Sequence, residues 1–146
     1  MFPEADLPLH IRYRVTDRKT LAAAQRDGRL WVALNARRDP VGFAHVCLVD
    51  DQAHLDEMDV LPDYARRGIG SGLVDTVVDW ARSRGYRALT LVTFRHLPWN
   101  APFYAARGFE PVDDDLLGDE MRELLQQEAE AGLTAANRVC MRRALT

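Results

Sequence analysis

The sequence predicts an α/β protein built on a mixed sheet, an antiparallel meander followed by a parallel strand–helix–strand crossover. Three observations carry this. The apolar-rich runs Leu30 to Leu34, Val41 to Val49 and Ala53 to Val60 are separated by the polar turns Ala36-Arg37-Arg38-Asp39-Pro40 and Asp50-Asp51-Gln52, the pattern of consecutive antiparallel strands. A glycine-arginine loop then opens a stretch of helical period. Ile69, Leu73, Val77, Trp80 and Arg84 lie on one line, and Val74, Val78 and Ala81 widen it. Finally, Ala88 to Thr93 reads as a strand, and a strand–helix–strand run of this length implies a right-handed parallel crossover.

The remaining elements follow in order. Met1 to Pro8 has two prolines and little periodicity, so it is a loose lead-in. His10 to Val15 alternates, with Ile11, Tyr13 and Val15 opposite Arg12 and Arg14, and reads as a short strand. Asp17 to Asp27 stops at Gly28 and reads as one helix with a C-terminal glycine. Pro62 ends the third meander strand, and Gly85 closes the long helix. Ala101 to Arg107 is a short helix closed by Gly108, and Phe109 to Val112 a short strand. After the acidic break Asp113-Asp114-Asp115, Glu120 to Glu130 is an exposed helix with Met121, Leu124 and Leu125 on its apolar face. Arg138 to Leu145 is the last strand, with Val139 and Met141 opposite Cys140.

Composition narrows the classes. A chain of 146 residues is expected to form one domain over 1–146, long enough to bury a core. Net charge is −3, from 19 basic and 22 acidic residues, which argues against a general nucleic-acid surface. Lys19 is the only lysine, so a lysine nucleophile is not expected. Cys47 and Cys140 do not form a disulfide or zinc framework and read as buried thiols. His45, His54 and His96 lack metal-ligand spacing, so no metal is expected. No apolar stretch approaches membrane length and no signal-peptide pattern is present, so a cytoplasmic protein without a membrane partner is expected.

The chain is organised around Leu61-Pro62-Asp63-Tyr64-Ala65-Arg66-Arg67-Gly68-Ile69-Gly70-Ser71-Gly72-Leu73. Glycines remove Cβ atoms where the backbone must turn and where another group approaches. The following helix offers unpaired N–H groups and the positive end of its dipole, and Arg66 and Arg67 add charge. Together these suit a phosphate or pyrophosphate; the bland reading is a tight strand-to-helix turn with solvated arginines. The loop is not a P-loop, since no Gly-Lys-Ser/Thr ends it, and its Gly-x-Gly-x-Gly spacing is not a dinucleotide fingerprint.

Two segments then carry a resemblance. Val60-Leu61-Pro62 with Arg67-Gly68-Ile69-Gly70-Ser71-Gly72-Leu73, and Asn100-Ala101-Pro102-Phe103-Tyr104-Ala105-Ala106-Arg107-Gly108-Phe109, resemble the GCN5-related N-acetyltransferase (GNAT) superfamily. The likeness runs from about Gly28 to Val112. It implies that the first segment holds the pyrophosphate of acetyl-CoA as co-substrate, through Arg66, Arg67, Gly68, Ile69, Gly70, Ser71 and Gly72. It implies that Met58, Asp59 and Val60 pair their backbone with the pantetheine arm like an added strand. A bulge there splays this strand from the next in the family, so that Met58 or Val60 offers an N–H to the thioester oxygen. The loop departs from the family pattern at Ala65, where Gln or Arg is usual, and at Arg66, where glycine is frequent. One helix before Leu30, where many members have two, implies a more open acceptor site or one completed by a second subunit.

Acetyl transfer to an amine needs a base and an acid. Tyr104 is the candidate acid for the leaving thiolate, against the alternative of a packed aromatic with a satisfied hydroxyl. Asn100 is expected to cap the short helix and to reach the pantetheine arm. Leu55, Glu57 and Asp59 alternate with His54, Asp56 and Met58. Glu57 is the first choice for the base and His54 the second, and the same carboxylates equally suit a solvated strand face. Phe94, Arg95, His96 and Trp99, beyond the parallel strand, are expected to shape the acceptor pocket. The expected reaction is direct attack of a small-molecule or peptide amine on the thioester. A non-catalytic acyl-CoA-binding module, and a domain binding some other phosphate ligand, are the competing readings. A homodimer through the C-terminal strand or helix is compatible with the chain.

Overall fold

The computed structural model describes residues 26, 28–95, 100–132 and 138–145. The strand expected over His10 to Val15 and all but Arg26 of the helix expected over Asp17 to Asp27 lie outside these residues, as do His96 and Trp99. The described residues hold six strands: β1 (Leu30–Leu34), β2 (Pro40–Val49), β3 (Gln52–Val60), β4 (Ala88–Phe94), β5 (Glu110–Pro111) and β6 (Arg138–Ala144). Three α-helices accompany them: α1 (Ile69–Ser83), α2 (Ala101–Ala105) and α3 (Asp119–Glu130). The sheet order is β1-β2-β3-β4-β6-β5. Only β3 and β4 run parallel, joined by the α1 crossover, and the other neighbours are antiparallel. This is the mixed α/β architecture that the alternating runs and the crossover predict.

Each face of the sheet buries a helix. On one face Ala44, Val46, Ala53, Leu55, Leu89, Leu91, Val139 and Met141 pack against Leu73, Val74, Val77, Val78 and Ala81 of α1. The centre of the α1 stripe therefore lies along Leu73, Val77 and Ala81. Ile69 and Trp80 flank it half-buried, and Arg84 lies outside with its guanidinium 5.7 Å from the Trp80 ring centre. On the other face Val49, Cys47, Val92 and Cys140 meet Met121, Leu124 and Leu125 of α3. Val139 and Met141 thus point opposite to Cys140, as the alternation in β6 requires.

The expected alternation in β3 breaks at one residue. His45 pairs with Glu57, but the next residue, Val46, pairs with Leu55. Asp56 is the extra residue of a β-bulge, and it shifts the side-chain phase by one. Leu55, Met58 and Val60 therefore share the core face, which corrects the grouping of Leu55 with Glu57 and Asp59.

A long-range cap fixes α3. Asp50, in the β2–β3 turn, accepts bonds from the N–H groups of Glu120 (3.0 Å) and Met121 (3.1 Å), and Glu120 accepts from the Asp50 N–H at 3.2 Å. This is a reciprocal capping box closed across 70 residues. It requires glycine at 118, because a Cβ there would overlap the Asp50 carboxylate. Gly118→Ala should therefore cost about 1–2 kcal/mol, the loss of a helix cap, and lower the thermal midpoint by several degrees in a circular-dichroism melt. An unchanged midpoint would show that Asp50 contributes nothing to α3.

Two boundaries and one edge bear on expectation: the strand expected over Phe109 to Val112 is confined to Glu110–Pro111. α2 ends at Ala105 rather than Arg107, because Arg107 and Gly108 make short-range bonds to Tyr104 and Ala105 and Gly108 takes φ 89°. β6 lies between β4 and β5, so edge-to-edge pairing of a second copy along it would compete with β5.

Candidate active site

The sheet opens beside its parallel pair. β3 and β4 pair only at Ala53 with Leu89 and His54 with Thr90. Beyond that point β3 continues to Val60 alongside β2, and β4 continues to Phe94 alongside β6. The two middle strands therefore part over their C-terminal halves. The bulge at Asp56 supplies a local cause, since it bends and twists β3 just past the last β3–β4 pair. Ligands of α/β sheets bind beyond the C-terminal strand ends, and here the ends are separated as well.

The β3 wall leads to the glycine loop. Arg66 adopts φ 63°, a left-handed conformation that favours glycine. Gly68 takes φ 84° as the N-cap of α1, with no side-chain cap. The first intrahelical bond is Gly72 N–H to the Gly68 carbonyl at 2.9 Å, so the N–H groups of Ile69, Gly70 and Ser71 precede it. The first turn of α1 carries no acidic residue, and a Cβ at Gly68 or Gly72 would meet nothing within 4 Å. An open, positively polarised helix end results. Arg67 lies over the Tyr64 ring at 5.0 Å, and Tyr64 Oη accepts from Asn35 Nδ2 at 3.1 Å. Arg67, Tyr64, Asn35, Ala36, Arg37 and Asp39 line a cavity of about 520 Å³. That cavity touches the loop at Arg67 but lies between it and the β1–β2 turn, not in the opening between β3 and β4.

The chain between the loop and the bulge holds Met58, Asp59 and Val60. Met58 and Val60 are buried in the core. The Val60 N–H donates to Asp59 Oδ1 at 2.9 Å, so a ligand oxygen reaching that N–H would displace the carboxylate. Glu57 is half-buried. His54 sits at the root of the opening, 2% exposed, with Nδ1 2.8 Å from Thr90 Oγ1. Burial lowers its pKa to about 4, against the opposing pull of Asp56, so it is neutral at pH 7 and a weak base. Asp56 Oδ2 also lies 3.3 Å from Nδ1 of the buried His45.

The β4 wall leads to α2. Tyr104 is 6% exposed, and its ring packs edge-on against Phe103 and Phe109 at 5.0 and 5.7 Å between centres. Burial raises its pKa well above the ordinary phenol value, and the nearby Arg107 charge offsets this in part. Asn100 occupies the N-cap position without capping, which corrects the expected role. Its Oδ1 accepts from Thr93 Oγ1 at 2.8 Å instead, and its fully buried Nδ2 has no hydrogen-bond partner among the described residues. Thr93 and Arg107 are additions that the sequence did not single out. Thr93 carries only a weak signal, a hydroxyl at the end of an apolar strand. Arg107 lies inside the quoted segment, but its spacing marked only a helix end. Phe94 is buried and Arg95 exposed, and Arg95 Nη2 donates to the Arg138 carbonyl at 3.0 Å. Cys140 is buried with its thiol pKa raised to about 11, chiefly by desolvation, which keeps it protonated and inert.

A mixed sheet that parts between its parallel strands, with an uncapped helix end on one wall and a buried tyrosine on the other, is an acyltransferase frame. The chain belongs to the acetyltransferase (GNAT) family, whose model matches residues 2–109. Solved structures repeat the fold. An acetyltransferase of the GNAT family from Staphylococcus aureus superposes with a TM-score of 0.66 at 16% identity, over 94% of this chain and 84% of that one. N-acetylglutamate synthase from Neisseria gonorrhoeae, complexed with coenzyme A and N-acetyl-glutamate, gives 0.72 at 19% identity, over 95% of this chain and 31% of that one. The PaiA N-acetyltransferase of Thermoplasma acidophilum, in complex with coenzyme A, gives 0.62 at 18% identity, over 86% and 67%. At these identities the shared property is the fold.

Proposed function

We propose that the protein is an acetyl-CoA-dependent N-acetyltransferase that moves the acetyl group to an amine by direct attack on the thioester. The observation that carries this reading is the opening between β3 and β4, with the acid-free end of α1 following one strand and the helix that bears the buried Tyr104 following the other. The family match and the coenzyme A complexes of two structural neighbours support it. The residues present suit such a co-substrate. The helix end offers N–H donors with open space around Gly68 and Gly72, and Asn100 Nδ2 is a buried donor lacking an acceptor among the described residues, a group that a ligand acceptor would satisfy.

When bound, the co-substrate supplies an activated acetyl carbonyl and a thiolate leaving group. The N–H groups of residues 67–71 grip its pyrophosphate, with Arg66 and Arg67 adding charge, and Gly72, whose own N–H is bonded to the Gly68 carbonyl, leaves open space for it. The β3 edge along Met58, Asp59 and Val60 orients its pantetheine arm, and Asn100 Nδ2 donates to the same arm. Glu57 takes the proton of the attacking amine, directly or through water. The low pKa of His54 makes it the weaker second choice, better suited to fixing the root of the opening through Thr90. Tyr104, held protonated by burial, gives its proton to the thiolate. The acceptor is a small-molecule or peptide amine, drawn by the carboxylates Glu57 and Asp59 when cationic.

The test is a free-thiol assay with acetyl-CoA against a mixed amine library, run beside a melting scan with and without CoA. Thiol release with at least one amine and a CoA-dependent rise in midpoint are expected. A rise without release from any amine would mark a non-catalytic acyl-CoA-binding module, and no rise would remove the co-substrate. Charge reversal at the loop, Arg67→Glu, is expected to weaken CoA binding about 10-fold, a modest figure because the side chain is exposed. Equal affinity by calorimetry would place the diphosphate elsewhere.

A further inference from the structure

We propose that Arg107 is the residue through which this protein reads the phosphates of its thioester carrier, and that its bond to Ser71 is the resting position from which it does so. The inference rests on the acyl-CoA reading above and adds to it a residue from the opposite wall of the opening.

Arg107 follows α2, and its guanidinium crosses to the first turn of α1. Nε donates to Ser71 Oγ at 2.9 Å, and Nη2 donates to the same oxygen. Nη1 donates to the Phe103 carbonyl at 2.8 Å, and the guanidinium carbon sits 3.6 Å from the Phe103 ring centre. The side chain thus lies over an aromatic face and reaches the first turn of α1. It bridges the helix that follows β3 and the helix that follows β4.

This arrangement is poor by ordinary rules. The N-terminus of a helix is the positive end of its dipole and favours anions, yet a cation is placed there. The first turn supplies no carboxylate to offset it. Among the described residues Arg107 forms no ion pair, and its three hydrogen-bond donors end on two neutral oxygens. Two of them crowd one hydroxyl. A second cation lies behind, since Arg143 Nη1 donates to the Arg107 carbonyl at 3.1 Å. A planar fork with unused N–H groups matches phosphate oxygens far better than a single hydroxyl. An anion at the helix end would satisfy the dipole, the fork and the freed Ser71 hydroxyl together. The same cation is felt by the Tyr104 phenol, so a phosphate on Arg107 also strengthens that phenol's hold on its proton.

Calorimetry with CoA, 3′-dephospho-CoA and pantetheine tests the assignment on the full chain. Arg107→Met keeps a flexible apolar stem over Phe103 and removes the charge. It is expected to weaken CoA binding by about 10-fold or more, the scale of a lost hydrogen bond to a charged group, and to leave pantetheine affinity unchanged. If the dephospho carrier suffers the same loss, Arg107 reads the pyrophosphate. If it is spared, Arg107 reads the ribose phosphate. Either result supports the proposal. An equal loss for all three carriers identifies a structural strut and overturns it, as does no loss for any. Should the methionine variant fold poorly, Arg107→Lys carries the test, with a loss of about 3-fold confined to phosphate-bearing carriers. A lysine variant that weakens all three alike, or none, overturns the proposal. If the unaltered protein binds neither CoA nor its dephospho form, the acyl-CoA reading itself fails. If it binds them and only the Arg107 variants behave as wild type, that reading stands and this one falls.

Discussion

Replacing Tyr104 with phenylalanine is expected to lower acetyl transfer about 100-fold, the usual worth of a positioned general acid, while CoA affinity changes less than about threefold. The ring packs against Phe103 and Phe109, and its hydroxyl has no hydrogen-bond partner among the described residues. Phenylalanine therefore keeps the packing and removes only the proton donor. Equal loss of kcat and kcat/KM, with an unchanged melting midpoint, would assign the effect to the transition state. The pH profile gives a second check. Burial raises the phenol's pKa, so the protonated form that donates persists through neutrality and beyond the ordinary value near 10. Activity should rise as the amine deprotonates and show no alkaline loss from this residue below about pH 10. Full turnover in the phenylalanine variant would remove Tyr104 from the mechanism.

The parts of this site that were legible in the sequence are those decided within one turn or one strand. The glycine loop and the alternation of Val139, Cys140 and Met141 are local and appear where the pattern put them, and the α1 stripe does so except that its centre is turned toward Ala81 and Arg84 falls outside it. The bulge at Asp56 is not local. It is defined by the pairing of β3 with β2, and no spacing within β3 reveals that one of its residues is extra. The same holds for Asp50, whose carboxylate caps a helix 70 residues away. Asn100 shows how a local rule loses to a tertiary partner. Its residue type and position suit an N-cap, but its side chain is taken by Thr93 from the end of β4. That exchange leaves Nδ2 without a partner among the described residues, so of the two roles expected of Asn100, helix cap and ligand donor, the first is lost and the second stays open. Arg107 was visible by name and invisible by role, because sequence spacing states where a helix stops and not what the next side chain crosses to reach. Its conflict with the α1 dipole emerges only in three dimensions, and local conflicts of that kind concentrate where proteins bind ligands.

The second large effect separates the stability of α1 from the use of its end. Ser71 is the third residue of the helix, after Gly68 as cap, a position where a carboxylate faces the free N–H groups. Ser71→Asp should stabilise the fold by about 0.3–1 kcal/mol through the dipole. A pair with Arg107, which already donates to this position, adds a few tenths of a kcal/mol at a half-exposed site. The melting midpoint should therefore hold or rise by a few degrees. CoA affinity should fall at least about 100-fold, or about 2.7 kcal/mol. Like charges about 4 Å apart near a protein surface repel by roughly 4 kcal/mol, and the new carboxylate also occupies the donors that the pyrophosphate needs. Most damaging substitutions lower stability and binding together, so opposite signs are diagnostic of an anion site built on an unfilled helix end. A variant that gains stability and still binds CoA normally would show that the diphosphate does not use this helix end. A variant that loses both would show that Ser71 is held by packing rather than by the dipole, and affinity would then have to be read from Arg67 and Arg107 alone.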